Sequence, residues 1–234
     1  RVSGVTVDIT ERKHAEERQN LLAREVDHRA KNALALAQSI VRLTRGETVK
    51  AYIQSVEGRI NALARVHTVL SLSSWQGAEI RQLVDEELAP YSDGNQIAPL
   101  AGPEIQLQPA TAQTLALALH ELVTNSAKYG ALSTQAGRLS IGWENQTGLL
   151  RLVWEETGGP PVVTPTSRGF GTQSVIASIE SQLGGKAEFN WRHEGLVCRL
   201  SVPLSRGAAQ DRHAHHEAAV ERSRGERAAR SADA

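Results

Sequence analysis

From Glu11 to Leu43 the chain keeps an apolar stripe, Leu22, Val26, Ala33, Ala37 and Ile40, at helical spacing. That period predicts one helix of more than 25 residues, capped by Asp8 or Thr10. The stretch TRGET, Thr44 to Thr48, supplies a turn. Beyond it Ile53, Val56, Ile60, Leu63, His67 and Leu70 alternate steps of three and four, a seam broken only by His67. Two long helices joined so tightly run antiparallel as a hairpin. One partner helix cannot fully cover either stripe. A second copy completing a four-helix bundle is the natural remedy, with a sheet or another domain as the alternative.

The rhythm changes after SSWQGA, Ser73 to Ala78, where Gly77 favours a flexible joint. A helix is predicted from about Glu79 to Ala89, then a turn-rich stretch, a short strand IQLQ and a Leu-rich helix through Leu115, Leu119 and Leu122. Strands RLSIGWEN and LLRLVWEE meet at an Asn145 to Gly148 turn. A Gly/Pro loop from Gly158 to Gly171 leads into a helix ending near Leu183, and strands KAEFNWR and GLVCRLSVPL close the set across His193 to Gly195. The whole reads as α+β: a helical hairpin followed by a mixed or antiparallel sheet with helices on one face. The first ten residues alternate like a single strand without neighbours. From Ser205 onward Val220 is the only aliphatic residue larger than Ala, which predicts disorder or a fraying helix.

Composition removes several classes of function. Lys plus Arg and Asp plus Glu are both 26, so no positive field advertises nucleic acid and no acidic excess marks a solvating chain. No apolar run is long enough to span a bilayer and no signal peptide is present, which predicts a cytoplasmic protein; the missing initiator Met predicts a piece of a longer one. The single Cys198 lies between Val197 and Arg199 in a short alternating run and reads as a buried small hydrophobe in a reducing compartment. His213, His215 and His216 can chelate a metal, but no Cys or carboxylate set completes such a site.

The candidate chemistry gathers around LHELVTNSAKYGALS, Leu119 to Ser133. Glu121, Asn125 and Lys128 stand at i, i+4 and i+7 on one face of an otherwise apolar helix. A carboxylate, an amide oxygen and an ammonium in a row suit hydrated magnesium, a proton acceptor and a phosphate; they equally suit a solvated helix face. The downstream loops tip the balance. Glu156 ends a strand just before Gly158 and Gly159, and Gly169 and Gly171 open the next helix, where free N–H groups favour phosphate. Each signal is weak alone; in this order they are what an adenine nucleotide site requires.

With these motifs in view, the run from about Leu21 to Leu204 resembles the sensor histidine kinases of two-component signalling, and among them the HWE subfamily. HELVTNSAKYGAL is similar to that group's N box, WEE at Trp154 to Glu156 to its Trp-x-Glu motif, GFGT at Gly169 to Thr172 to its second glycine box, and VDHRAKN to the phosphoacceptor box. The resemblance implies a GHKL-type ATP-binding domain that uses ATP and Mg2+. It makes His28 the phosphoacceptor and Glu121 the group that polarises it or takes its proton. Asn125 would be the magnesium ligand and Lys128 a phosphate neighbour. Glu156 would accept the adenine amino group, with Gly158, Gly169, Gly171 and Thr172 lining the nucleotide. His120 would be a packing residue against the loop or Trp154, or a participant in the chemistry. Gln173 departs from the pattern where an arginine is common, which implies looser phosphate binding.

VSGVTVDITERKHAEE resembles the end of a PAS sensor domain and its exit linker, implying residues 1–14 as that remnant. The hairpin would be residues 15–72, a linker 73–78, the catalytic domain 79–204 and the tail 205–234. The expected activity is autophosphorylation of His28 and transfer to an aspartate on a separate response regulator, by a homodimer formed through the hairpin. His28 lies off the apolar stripe and is expected to be exposed, although a lone helical histidine is otherwise unremarkable. His67 on the seam, His193 in a hairpin turn and His14 are weaker candidates. The rivals are a receiver-docking scaffold without catalysis and a GHKL-type ATPase.

Overall fold

The first apolar stripe forms α1, Thr10–Leu43, and the second forms α2, Val49–Leu72. Helix α1 ends where the Thr44 hydroxyl donates to the Ile40 carbonyl at 2.6 Å, and Thr48 caps α2 by accepting the Ala51 N–H at 3.1 Å. The Tyr52 hydroxyl donates to the Val41 carbonyl at 2.9 Å, and the buried Arg59 donates to Thr44 Oγ1 at 2.8 Å, closing the predicted hairpin at its turn. The computed structural model describes residues 10–91, 96–161 and 169–204. It divides the chain into two compact units, residues 1–60 and 61–234. The strand expected over the first ten residues, the body of the Gly/Pro loop and the tail from Ser205 lie outside the described residues, apart from Thr10, which opens α1.

In the first unit Ile40 is buried, but Val26 and Leu34 are 64% and 65% exposed, and Ile53 and Ile60 are exposed too. Val26 on the first stripe and Ile53 and Ile60 on the second are therefore open to solvent in the single chain, while Ala33, Ala37 and Val56 are half-buried. In the second unit the last turns of α2 bury Ala62, Leu63, Val66, Val69 and Leu70.

The segment expected to be a flexible joint makes several bonds in this structure. Ser73 Oγ lies 2.9 Å from the Leu70 carbonyl and 2.7 Å from that of Gly77, the Trp75 N–H donates to Leu70 at 2.7 Å, and the Trp75 ring packs edge-on to His67 at 5.1 Å. Gly77, at φ +134°, lies so close to the Leu107 carbonyl that no Cβ fits. Ala78–Glu79 (β1) then pairs antiparallel with Gln106–Leu107 (β2).

Helices α3, Ile80–Leu88, and α4, Pro109–Tyr129, precede a four-stranded antiparallel sheet. Its strands are β3, Arg138–Gln146; β4, Leu149–Thr157; β5, Lys186–Arg192; and β6, Gly195–Pro203, in the order β3-β4-β6-β5. Between β4 and β5, α5 runs from Phe170 to Ile176 and continues as wider π-type turns over Ala177–Gln182. Alternation along the strands buries Leu139, Ile141 and Trp143 on β3, Leu150, Leu152 and Trp154 on β4, and Cys198, Leu200 and Val202 on β6. The buried Leu115, Leu119 and Leu122 of α4 supply the helical layer of this core. The α+β class and the antiparallel arrangement agree with the sequence reading.

Candidate functional site

Helix α4 starts on Pro109, whose missing N–H costs nothing in the first turn, and stops at Gly130. Gly130 is not left-handed; its φ is −112°. Its reason is proximity, because a side chain there would collide with the Glu156 carboxylate. Along the polar face Glu121 is buried, Asn125 half-buried and Lys128 exposed. The backbone of α5 comes down on this face: a Cβ on Gly171 would lie 2.9 Å from Asn125 Nδ2, 3.0 Å from its Oδ1 and 3.2 Å from Glu121 Oε2. Gly169 caps α5 with open space around it, and Thr172 is buried in its first turn. Two segments the sequence left 50 residues apart thus meet with a bare backbone against a carboxylate and an amide.

Glu156 has a duty the sequence reading missed. It is only 4% exposed; Oε1 accepts the Trp154 indole N–H at 2.8 Å and Oε2 accepts the Ala131 N–H at 2.8 Å. It therefore ties the loop after α4 to the end of β4. Trp154 and Glu156 are i and i+2 on a strand and point to the same face, so the alternation of β4 carried a signal for this pair. Gly158, at φ +67°, packs on Ala136, and Gly159 on the Gly130–Ala131 backbone, so the first glycine motif lies on the same loop.

The structure also corrects the reading of His120. Its Nδ1 is 3.0 Å from Glu87 Oε2 on α3, so its polar partner is neither the loop nor Trp154. Glu87 and Arg65, which bind one another, were not singled out from sequence. The clue was an acidic residue at helical spacing from the buried Leu83 and Val84. Tyr129, 72% exposed at the end of α4, is a further aromatic the sequence reading passed over.

The other candidates separate readily. Cys198 is buried, and burial together with the nearby Glu156 carboxylate pushes its thiol up to about 12, leaving no thiolate nucleophile at neutral pH. His67 is half-buried, its Nε2 2.8 Å from Gln113 Nε2, and burial holds its pKa below the ordinary histidine value. His193 is exposed in its hairpin turn. His14 pairs with Glu17 on α1 at 3.6 Å, and His213, His215 and His216 lie outside the described residues. His28 lies on α1, straddled by an exposed Lys31–Asp27 ion pair of 2.6 Å, in the unit separate from α4; its side chain is outside the description. A groove of about 740 Å³ on the sheet beside Gly142, Arg151, Val153 and Arg199 touches none of the motifs. Among the described residues no helix is long and apolar enough to cross a membrane.

Residues 25–104 match the sequence model of the HWE histidine kinase family. The blue-light-activated histidine kinase of Rhizobium johnstonii is 37% identical over 205 residues, covering 86% of this chain and 59% of that protein. The protein of the same name from Brucella anthropi is 35% identical over 210 residues, covering 86% and 43%. The chain thus spans about half the length of the curated relatives it matches. In fold it is similar to a blue-light activated histidine kinase of Erythrobacter litoralis, with a TM-score of 0.58 at 19% identity over 87% of this chain and 62% of that one. The isolated histidine kinase domain of that protein gives 0.53 at 14% identity, over 76% and 94%.

Proposed function

This chain belongs to the HWE histidine kinase family, and we propose that it is an ATP-dependent protein kinase that phosphorylates its own His28 and then passes the phosphoryl group to an aspartate of a separate response regulator. The observation that carries the reading is the meeting of Glu121 and Asn125 with the bare backbone of Gly171.

That corner suits a magnesium nucleotide. Hard cations prefer carboxylate and amide oxygens, and a side chain on Gly171 would fill the space over them. Asn125 would hold the metal, which when bound supplies positive charge against the phosphates. Lys128, exposed one turn further along, meets the same phosphates, and Gly158, Gly169 and Thr172 shape the backbone around them. Glu156 holds the loop in place through two bonds and, with about four lone-pair sites on a carboxylate, retains capacity to accept the adenine amine. In the transfer, an imidazole nitrogen of His28 forms a bond to the γ-phosphorus while the bond from that phosphorus to the bridging oxygen of ADP breaks. Glu121 takes or polarises the imidazole proton.

The exposed positions Val26, Ile53 and Ile60 on the stripes of α1 and α2 favour a homodimer through the hairpin. A PAS-type sensor preceding residue 15 would control the cycle, and blue light, in the names of the relatives, is the first signal to try. Incubation with γ-labelled ATP and magnesium tests the core of the reading. It predicts protein-bound label that is acid-labile and base-stable, and that moves to an isolated receiver domain. A folded chain that binds nucleotide without labelling would favour the scaffold; phosphate released with no labelled protein would favour an ATPase.

A further inference from the structure

Three helices of the second unit are tied by one chain of polar bonds. Arg65 on α2 donates to Glu87 on α3 through Nη2 at 2.7 Å to each carboxylate oxygen, and through Nε at 3.2 Å. Glu87 in turn lies 3.0 Å from His120 Nδ1 on α4. Glu87 is 4% exposed, among Leu83, Val84 and Leu88. A carboxylate so placed is retained only when paired, and the guanidinium fork does most of that. The His120 ring then has its Nδ1 committed to α3, about 100° around α4 from Glu121.

A second bond repeats the arrangement two turns earlier. Gln113, seven residues before His120 and on the same face of α4, bonds His67 of α2 at 2.8 Å. Elsewhere α4 is held mainly by the buried Leu115, Leu119 and Leu122, whose packing is non-directional, with the Thr114 hydroxyl bonding Gln182 at 3.4 Å and Ser126 Oγ accepting the Leu132 N–H at 3.3 Å. Hydrogen bonds are directional, so the Gln113 and His120 bonds fix the rotation of the helix. That rotation matters at the next residue, because Glu121 Oε2 would lie only 3.2 Å from a Cβ on Gly171.

We infer that His120 is a positioning residue: through Glu87 and Arg65 it sets the rotation of α4 that presents Glu121 and Asn125 to the nucleotide, and it takes no proton and touches no phosphate itself. The inference rests on the kinase reading for its effect on rate. It gives α2, the helix that also forms the hairpin turn, a bonded route to the face of α4 that does the chemistry.

The test uses the full chain with His120→Ala, His120→Asn, Glu87→Gln and the double variant His120→Ala/Glu87→Gln. Removing an interaction that acts through geometry should lower kcat for autophosphorylation roughly 10- to 100-fold while KM for magnesium-ATP moves less than about threefold. Asparagine offers an amide N–H near the place of Nδ1–H, so His120→Asn should recover most of the rate and keep the wild-type pH profile. The double variant should be no slower than the slower single one, because both break the same chain. An asparagine variant as slow as alanine, a pH profile that loses a limb, a loss carried by KM, or alanine at the wild-type rate would each overturn the inference. Hydrogen exchange separates this from the kinase reading. Amides of α4 should exchange faster in His120→Ala and not in His120→Asn even if the wild-type chain forms no phosphohistidine. Unchanged exchange in His120→Ala would defeat the inference whatever the activity.

Discussion

Helices α1 and α4 each carry a candidate for the transfer, and they hold it in opposite ways. Around His28 most described neighbours are exposed, with Arg29 half-buried: Asp27 and Lys31 pair with each other in solvent, and Val26 and Leu34 stand open. On α4 Glu121 is sunk into the unit and Asn125 half-sunk, and Glu87 and Glu156 spend their carboxylates on bonds to other elements. The contrast fits the two tasks proposed for them. A histidine that meets a nucleotide and then a partner must be presented on a surface, whereas a site that grips one ligand gains from fixed geometry.

The contrast breaks most visibly at Glu156. Glu156→Ala would leave the Trp154 indole and the Ala131 N–H buried without their acceptor, so thermal or denaturant unfolding should show a loss of about 2–5 kcal/mol. A loss below about 0.5 kcal/mol would mean that the carboxylate does not hold the loop. Asn125→Asp sets a second carboxylate beside Glu121 in place of a neutral amide. Calorimetry should find magnesium-ATP bound roughly 10- to 100-fold more weakly, about 1.4–2.8 kcal/mol, and unchanged affinity would move the metal site elsewhere.

A smaller effect is expected at His67. Its folded pKa is lowered by burial, so the native state favours the neutral ring. The stability it contributes is complete above the unfolded value of about 6.5 and is lost as the pH falls through the folded value. Unfolding midpoints at pH 7.5 and 5.5 should therefore differ less in His67→Gln than in the wild-type chain; equal differences would contradict the assignment. The smallest change belongs to α1, where Val26→Ser should alter the stability of the dilute single chain by less than about 0.5 kcal/mol. A loss above about 1 kcal/mol that grows with protein concentration would show the stripe covered by a second copy.

How much of this was legible in the sequence followed from periodicity. Strand β5 begins and ends at the residues the alternation indicated, and the turn at Thr44 to Thr48 is where the stripe broke. The N box, Trp-x-Glu and glycine motifs pointed to a candidate site because each is a local pattern. The bonds between them are not local. Nothing in the spacing of Arg65, Glu87 and His120 says that three helices bring them together, and the sequence showed Gly130 as the helix stop it is but not Glu156 as its neighbour in space. The contacts of Ser73 to Ala78 were hidden for the same reason: Gly77 read as freedom, and its sequence gives no sign of the Leu107 carbonyl packed against it.

The central claim is that the exposed helix supplies the acceptor and the buried site supplies the phosphoryl group. Incubating the full chain with magnesium-ATP and mapping the phosphate by fragmentation mass spectrometry under alkaline conditions tests it most directly. The account predicts one phosphorylated peptide, with the added group on His28 and none in His28→Ala, while both proteins bind nucleotide alike. Phosphate on another residue, or undiminished phosphorylation of His28→Ala, would contradict it.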